Sequence, residues 1–406
     1  MLSLESKGFA GFGRSALSPR LRSKAGGVDL TDDASESRRA VRRLCPTRPG
    51  VYGMIDAAGA LVYVGKSKSL RHRLLTYLHT EPGDPKAALI IEHAERIIWE
   101  PAPHELVALA RELELIRRWR PEFNVRGQPG RFRRVYVCLG RGPAPYAYVA
   151  PQPNHRAQQS FGPVPSKRRL GDALRQVNKW FHLRDCPDRV AMVFADQLEL
   201  FAAERRPQCT RFELGTCPAP CAAGCTSGDY LANLAAAKQF LEGNNTELLD
   251  RLEAEMLAAA AQCEFERAAN LRDAWMPLAW LDDHLHRLRQ ARGEFSFVYP
   301  AKSATGRESW LVIHRGHLAD VFRPPRDQPS AERCLVRLKR AFAPARRSLA
   351  AAPEDVEHMM LVVGWFRSHA DELHSTLSPS RARAICQELM ATRGAAETRV
   401  PCPRSR

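Results

Sequence analysis

Residues 49–66, Pro49-Gly50-Val51-Tyr52-Gly53-Met54-Ile55-Asp56-Ala57-Ala58-Gly59-Ala60-Leu61-Val62-Tyr63-Val64-Gly65-Lys66, decide the fold of the first part of this chain. Two short apolar runs rich in β-branched residues, 50–55 and 60–64, flank Asp56-Ala57-Ala58-Gly59, a composition that predicts a hairpin with Gly in its turn. Tyr52 and Tyr63 are then expected on paired strands. Gly65-Lys66-Ser67-Lys68-Ser69 follows at once. After it, Leu70, Leu74 and Leu78 recur four apart with Arg71, His72 and Arg73 between them. A strand, a small-residue turn and a basic helix form a combination suited to holding a phosphate.

The order continues downstream. The spacing of Leu106, Leu109, Leu113, Ile116 and Trp119 predicts a helix over 104–119, and this helix carries Glu112. Twelve residues later comes Asn124, inside Arg120-Pro121-Glu122-Phe123-Asn124. Gly50-Val51-Tyr52 and Tyr63-Val64-Gly65, followed by Lys66, Arg73, Glu112 and Asn124, resemble the GIY-YIG nuclease motif. The resemblance is closest to the N-terminal domain of UvrC, the nuclease subunit of bacterial nucleotide excision repair, and covers roughly residues 49–125.

It implies catalysis of phosphodiester hydrolysis by Tyr63 as general base, Arg73 on the scissile phosphate, Tyr52 and Tyr77 bonding around water and phosphate, and Asn124 locking the site. Glu112 would hold one Mg²⁺ or Mn²⁺, since a single carboxylate suits a hard cation that keeps most of its waters. A free Tyr titrates near 10, so its phenolate needs nearby cations, a task expected of Lys66 and the metal. Taken singly these residues have plain readings. A Tyr in a hairpin is usually a packing residue, basic residues such as Lys66, Lys68, Arg71 and Arg73 can form a solvated face, and Glu105 and Glu114 are expected to face solvent. Their joint order carries the functional reading.

With 406 residues the chain should fold as two or three compact units of α+β class. Lys plus Arg 61 against Asp plus Glu 45 gives a net charge of +16, which favours a polyanionic partner. An Arg-rich soluble protein from a GC-rich genome is the plain alternative. No run of eighteen apolar residues occurs, and the start lacks a secretory h-region, so a cytoplasmic protein without a membrane span is expected.

Residues 1–45 mix Ser, Gly and Arg without period and are expected to be a flexible basic arm. The nuclease-like domain spans 46–128, with a third strand from Arg96-Ile97-Ile98-Trp99. A connector over 129–182 holds two alternating stretches, then Phe161-Gly162-Pro163 and a basic helix ending near Phe181. Residues 183–228 are rich in cysteine, 229–292 read as helices, and 293–406 as a C-terminal α+β segment.

Eleven cysteines without an export signal argue against a disulfide framework. Cys186, Cys209, Cys217 and Cys221 are in the order of the four cysteines of UvrC proteins that hold an iron-sulfur cluster, so a 4Fe-4S cluster is what the resemblance implies. Their spacing suits a zinc ion as well, Cys225 is an alternative to Cys186, and structural thiols without metal remain open. Residues 264–273, with Phe265, Ala268, Ala269, Leu271 and Arg272, resemble the UVR motif through which UvrC and UvrB meet. An ordinary amphipathic hairpin is the alternative.

Beyond about residue 290 the chain shows neither the carboxylates of the RNase H-like nuclease nor the helix-hairpin-helix tail of full-length UvrC. It is therefore comparable to the short Cho type of homologue. The leading expectation is a DNA endonuclease making one nick 3′ to a lesion in DNA bound by UvrB, with UvrA acting earlier. A non-catalytic UvrB- or DNA-binding adaptor, and a GIY-YIG nuclease on branched DNA, are the competitors.

Overall fold

The computed structural model describes residues 9, 11–15, 25–79, 85–124, 134–197, 207, 209–303, 306–343 and 353–394. The chain divides into two compact units, Met1–Pro129 with Ala291–Arg406, and Gly130–Gln290. Sheets and helices both contribute, so the α+β class holds.

In the first unit, strands β1 (Gly26–Asp29), β2 (Gly50–Ile55), β3 (Leu61–Ser67) and β4 (Arg96–Pro101) form one sheet in the order β1-β4-β2-β3. Every pairing is antiparallel. Helices α1 (Ala34–Leu44), α2 (Leu70–Tyr77), α3 (Pro85–Glu92) and α4 (Glu105–Trp119) complete this part. Alternation along the strands supplies two cores. Tyr52, Met54, Ile97 and Trp99 pack with Val41, Leu70, Leu74 and Tyr77, whereas Val51, Val64 and Ile98 pack with Ala108, Leu115 and Ile116 of α4.

Strand β1 and helix α1 correct the expected flexible arm over 1–45. Asp33 caps α1 by accepting from the Ser35 amide, and Val28 and Val41 are buried. Four residues of strand are too short to show a period, but the open edge of β4 supplies their hydrogen-bond partners. The remainder of that expected arm lies largely outside the described residues.

The second unit opens with β5 (Val135–Gly140), β6 (Ala147–Ala150) and β7 (Ala157–Val164), an antiparallel sheet with β5 central. Helices α5 (Lys167–Trp180), α6 (Thr210–Glu213), α7 (Ser227–Glu242), α8 (Glu247–Ala261) and α9 (Phe265–Gly293) follow. Thr226 and Asp229 form a reciprocal capping box at the start of α7. Cys263, at φ 60°, makes the tight turn between α8 and α9.

The chain then returns to the first unit. Strands β8 (Phe297–Lys302), β9 (Glu308–His314) and β10 (His317–Phe322) form a meander, followed by α10 (Gln328–Ala341), α11 (Pro353–Ser368), α12 (Ala370–Leu373) and α13 (Pro379–Gly394). The C-terminal α+β segment over 293–406 packs on α4. Arg117 pairs with Glu357 at 2.7 Å, and the His104 ring lies 5.5 Å from Tyr299 and 5.3 Å from Trp365. Among the described residues, no helix is long and apolar enough to cross a membrane.

Candidate active site

The β2–β3 register creates the site. Tyr52 stands opposite Gly65, and Met54 opposite Tyr63. A Cβ on Gly65 would lie 2.5 Å from the Tyr52 ring, so only glycine allows the ring to cross the neighbouring strand. Gly50 is under the same constraint, its missing Cβ facing the Glu100 carbonyl at 2.4 Å. The glycines of both motif triplets are therefore packing requirements.

Three tyrosines converge. The Tyr52 and Tyr77 hydroxyls are 3.2 Å apart, and the Tyr63 ring centroid is 6.1 Å from that of Tyr52 and 6.4 Å from that of Tyr77. Arg73, one turn before Tyr77 on α2, donates from Nε to the Tyr52 hydroxyl at 3.3 Å and from Nη2 to the Tyr77 hydroxyl at 3.4 Å. Its guanidinium sits 4.8 Å from the Tyr77 ring centroid, an arrangement that adds cation–π attraction. The rest of Arg73 is exposed, so the fork is oriented from behind and open in front.

Asn124 secures the outer edge of β3. Its Oδ1 accepts from the Val64 amide and its Nδ2 donates to the Val64 carbonyl, both at 2.8 Å. The Phe123 amide donates to the Val62 carbonyl at 3.0 Å. The Asn124 side chain thus acts as a short strand beside Tyr63-Val64-Gly65 and satisfies backbone groups that an edge would leave open.

Glu112 reaches the end of β3 from α4 and accepts a hydrogen bond from the Lys66 backbone amide. Burial pushes its carboxyl up to about 7, against the lowering effects of the Lys66 charge and amide. The Tyr63 phenol is also pushed up, first by burial, then by Tyr77 and by the Glu112 carboxylate. The Lys66 ammonium, expected to act on Tyr63, is placed on a carboxylate of α4. Its Nζ donates to Glu105 Oε1 at 2.7 Å, with Lys68 3.5 Å from the other carboxylate oxygen.

Glu105 and Glu114 depart from the solvent-facing expectation. Glu105 is buried between the two lysines. Glu114 pairs with Arg111 at 2.9 Å and Arg118 at 3.1 Å. In both cases a cation offsets the loss of water. Arg111, absent from the expected site, is 2% exposed; it bonds Glu100 at 3.1 Å and the Gly13 carbonyl at 2.6 Å. The available signal is its place four residues from both Val107 and Leu115, on the buried side of α4.

The phosphate expectation at the start of α2 needs a second correction. Residues through Ser67 continue β3 instead of turning. The Leu70 and Arg71 amides donate to the Arg48 and Pro46 carbonyls at 3.0 and 3.3 Å. Those helix-end donors are engaged within the fold.

A lone, largely desolvated carboxylate with raised proton affinity fits a hard divalent cation, which would restore a favourable charge beside it. The cysteines do not fit a metal as arranged. Cys186, Cys209, Cys217 and Cys221 are free thiols, and Cys217 and Cys221 both feel Cys186 and Cys209 electrostatically. Among the described residues, no three or more His, Cys, Asp or Glu side chains are gathered to hold a metal ion. Burial raises the Cys217, Cys221 and Cys225 thiols, favouring the protonated form.

On the α8–α9 hairpin, Phe265 is 69% exposed at the tip, Arg272 is exposed, and Ala268, Ala269 and Leu271 are half-buried.

Comparison with known proteins finds similarity over two segments of the chain. Residues 48–125 match the UvrC-like GIY-YIG domain, and residues 135–240 match the middle domain of UvrC/Cho excinucleases. The UvrABC system protein C of Anaeromyxobacter sp. (strain Fw109-5) is 37% identical over 56% of this chain and 31% of its own length. That of Pseudomonas entomophila is 32% identical over 67% of this chain and 43% of its own length. The chain spans about a third of the length of the first curated relatives it matches. The GIY-YIG N-terminal endonuclease domain of Thermotoga maritima UvrC, solved with its catalytic divalent cation, magnesium, is 31% identical. That match covers 24% of this chain and 100% of that domain, with a TM-score of 0.21.

Proposed function

We propose that this chain, which carries a GIY-YIG domain of the UvrC kind, is a metal-dependent DNA endonuclease of nucleotide excision repair that makes a single nick 3′ to a lesion in UvrB-bound DNA. The observation that carries this proposal is the convergence of Tyr63, Arg73 and Glu112 at one end of the β2–β3 hairpin, with Tyr52 and Tyr77 orienting the Arg73 fork.

Hydrolysis needs an attacking water, charge to shield the nonbridging oxygens, and help for the leaving oxygen. Arg73 binds the scissile phosphate through its open side, while Tyr52 and Tyr77 fix its angle. Tyr63, after losing its own phenol proton to solvent, accepts the water's proton as a phenolate general base. The burial that raises its phenol in the free protein sets the cost of preparing it. Glu112 holds a divalent cation, Mg²⁺ or Mn²⁺, which supplies Lewis-acid charge when bound. Lys66 acts one step away, keeping Glu105 neutralised at the foot of α4, and Asn124 holds the Tyr63 strand in place.

The exposed tip of the α8–α9 hairpin supports UvrB as the partner. Phe265, flanked by Ala268, Ala269, Leu271 and Arg272, offers an apolar contact that a partner would cover.

The test is a duplex bearing one bulky lesion, incubated with Mg²⁺, UvrA and UvrB, each strand end labelled in turn, with Tyr63→Phe alongside. One discrete 3′ nick, lost in the variant and without UvrB while DNA binding persists, is the expected outcome. Full activity of Tyr63→Phe would reject the assigned base. Nicking without damage or UvrB would point to branched-DNA cleavage, and binding to UvrB without nicking would point to an adaptor.

A further inference from the structure

Helix α10 has two distinct sides. Ala331, Cys334 and Leu338 are buried against the C-terminal core, whereas Arg333, Val336, Arg337 and Arg340, spaced three and four apart, line a groove. Residues 319–327, at the end of β10 and beyond, form the opposite wall and bring Arg323 and Arg326. The groove is open and encloses about 1060 Å³.

One arginine belongs to the framework. Arg337 donates from Nε to Asp320 Oδ2 at 2.7 Å, bonds the same carboxylate through Nη2, and reaches the Val321 carbonyl at 3.1 Å. Its guanidinium lies 4.5 Å from the Phe322 ring centroid. Arg323, Arg326, Arg333 and Arg340 are exposed. Among the described residues, none of these four has an ion-pair partner. The three carboxylates in the lining have other engagements: Asp320 holds Arg337, Asp327 caps α10 by accepting from the Ser330 amide at 2.8 Å, and Glu332 accepts from Gln328 at 3.4 Å.

We propose that this groove binds the phosphodiester backbone of duplex DNA without reading its sequence. The inference rests on the DNA-nuclease proposal, and the groove belongs to the same compact unit as Tyr63. Guanidinium forks match phosphate geometry better than ammonium groups do, and every cationic side chain in the lining is arginine. Arg333 and Arg340, seven residues apart on one helix, are separated by about 10 Å along its axis, close to the axial rise of about three phosphates on one strand.

The experiment measures fluorescence anisotropy of a labelled duplex with the full chain in EDTA, across a series of salt concentrations. Arg333→Gln/Arg340→Gln should bind about tenfold more weakly, and its log–log salt slope should fall by about 2, roughly 0.9 per lost phosphate contact. Arg381→Gln, on an exposed arginine paired with Glu388 at 3.0 Å outside the groove, should leave both values unchanged. If the double variant loses its fold by circular dichroism, Arg323→Gln/Arg326→Gln reads the same slope. An unchanged slope in a folded groove variant, with wild-type binding and nicking intact, overturns the groove alone. Wild-type protein that neither binds nor cuts DNA overturns the groove and the nuclease proposal together.

Discussion

Replacing Glu112 by Gln should make the metal-free protein more stable at alkaline pH, even as it removes the proposed metal ligand. Burial raises the Glu112 carboxyl from an ordinary 4.5 to about 7. Below pH 4.5 the group is protonated in both folded and unfolded chains. Between the two values only the folded chain keeps the proton, so stability falls as pH rises through this window, and the full cost is present above it. That rise, at about 1.36 kcal/mol per pH unit, corresponds to an upper figure of about 3 kcal/mol, reduced by any water that reaches the carboxylate. The carboxamide of the variant has no proton to release, so the advantage of Glu112→Gln should grow from about pH 5 to about pH 8 by up to that amount. Urea denaturation in EDTA at several pH values, followed by circular dichroism with each transition fitted separately, measures it. Parallel pH profiles for the two proteins would refute the desolvated-carboxylate explanation. Mg²⁺ should narrow the gap by binding only the folded wild type.

Mg²⁺ binding to wild type should be about tenfold weaker at pH 6 than at pH 8, with release of up to one proton, because the ligand must first deprotonate from about 7; calorimetry in buffers of different ionisation enthalpy reads both. Asn124→Ala removes two buried 2.8 Å hydrogen bonds to Val64 and should cost about 2–3 kcal/mol in urea denaturation, with loss of nicking as Tyr63 loosens. Gly65→Ala forces the Tyr52 ring away from a Cβ that would lie 2.5 Å from it, and should cost about 1–3 kcal/mol while lowering the nicking rate through Arg73.

Strong periodic segments were legible from sequence. The hairpin, the strand at Arg96–Pro101, the helix carrying Glu112 and the α8–α9 hairpin all follow from patterns that local chain geometry imposes. The motif order also brought Tyr52, Tyr63, Tyr77, Arg73, Glu112 and Asn124 into consideration together. Tyr52 and Tyr63 lie on paired strands as the hairpin pattern predicts, because register on adjacent strands is fixed by which face is buried.

Tertiary structure alone decided the rest. Which carboxylate takes Lys66 depends on where the foot of α4 meets the end of β3, so Glu105 is buried against a lysine instead of facing solvent, while Glu112 lies desolvated beside the Lys66 amide. Arg111 became a buried anchor only because Glu100, Glu114 and the Gly13 carbonyl converge on it from separate segments. The short strand β1 depended on a partner edge far along the chain, and the packing of α11 on α4 depended on contacts such as Arg117–Glu357, more distant still in sequence. The sequence by itself determined the local elements and the chemical inventory of the site, since periodicity and residue type act over a few neighbouring positions. Charge state, hydrogen-bond partners and the docking of the C-terminal segment arise from desolvation and contact across the folded chain, quantities that exist only once distant residues meet.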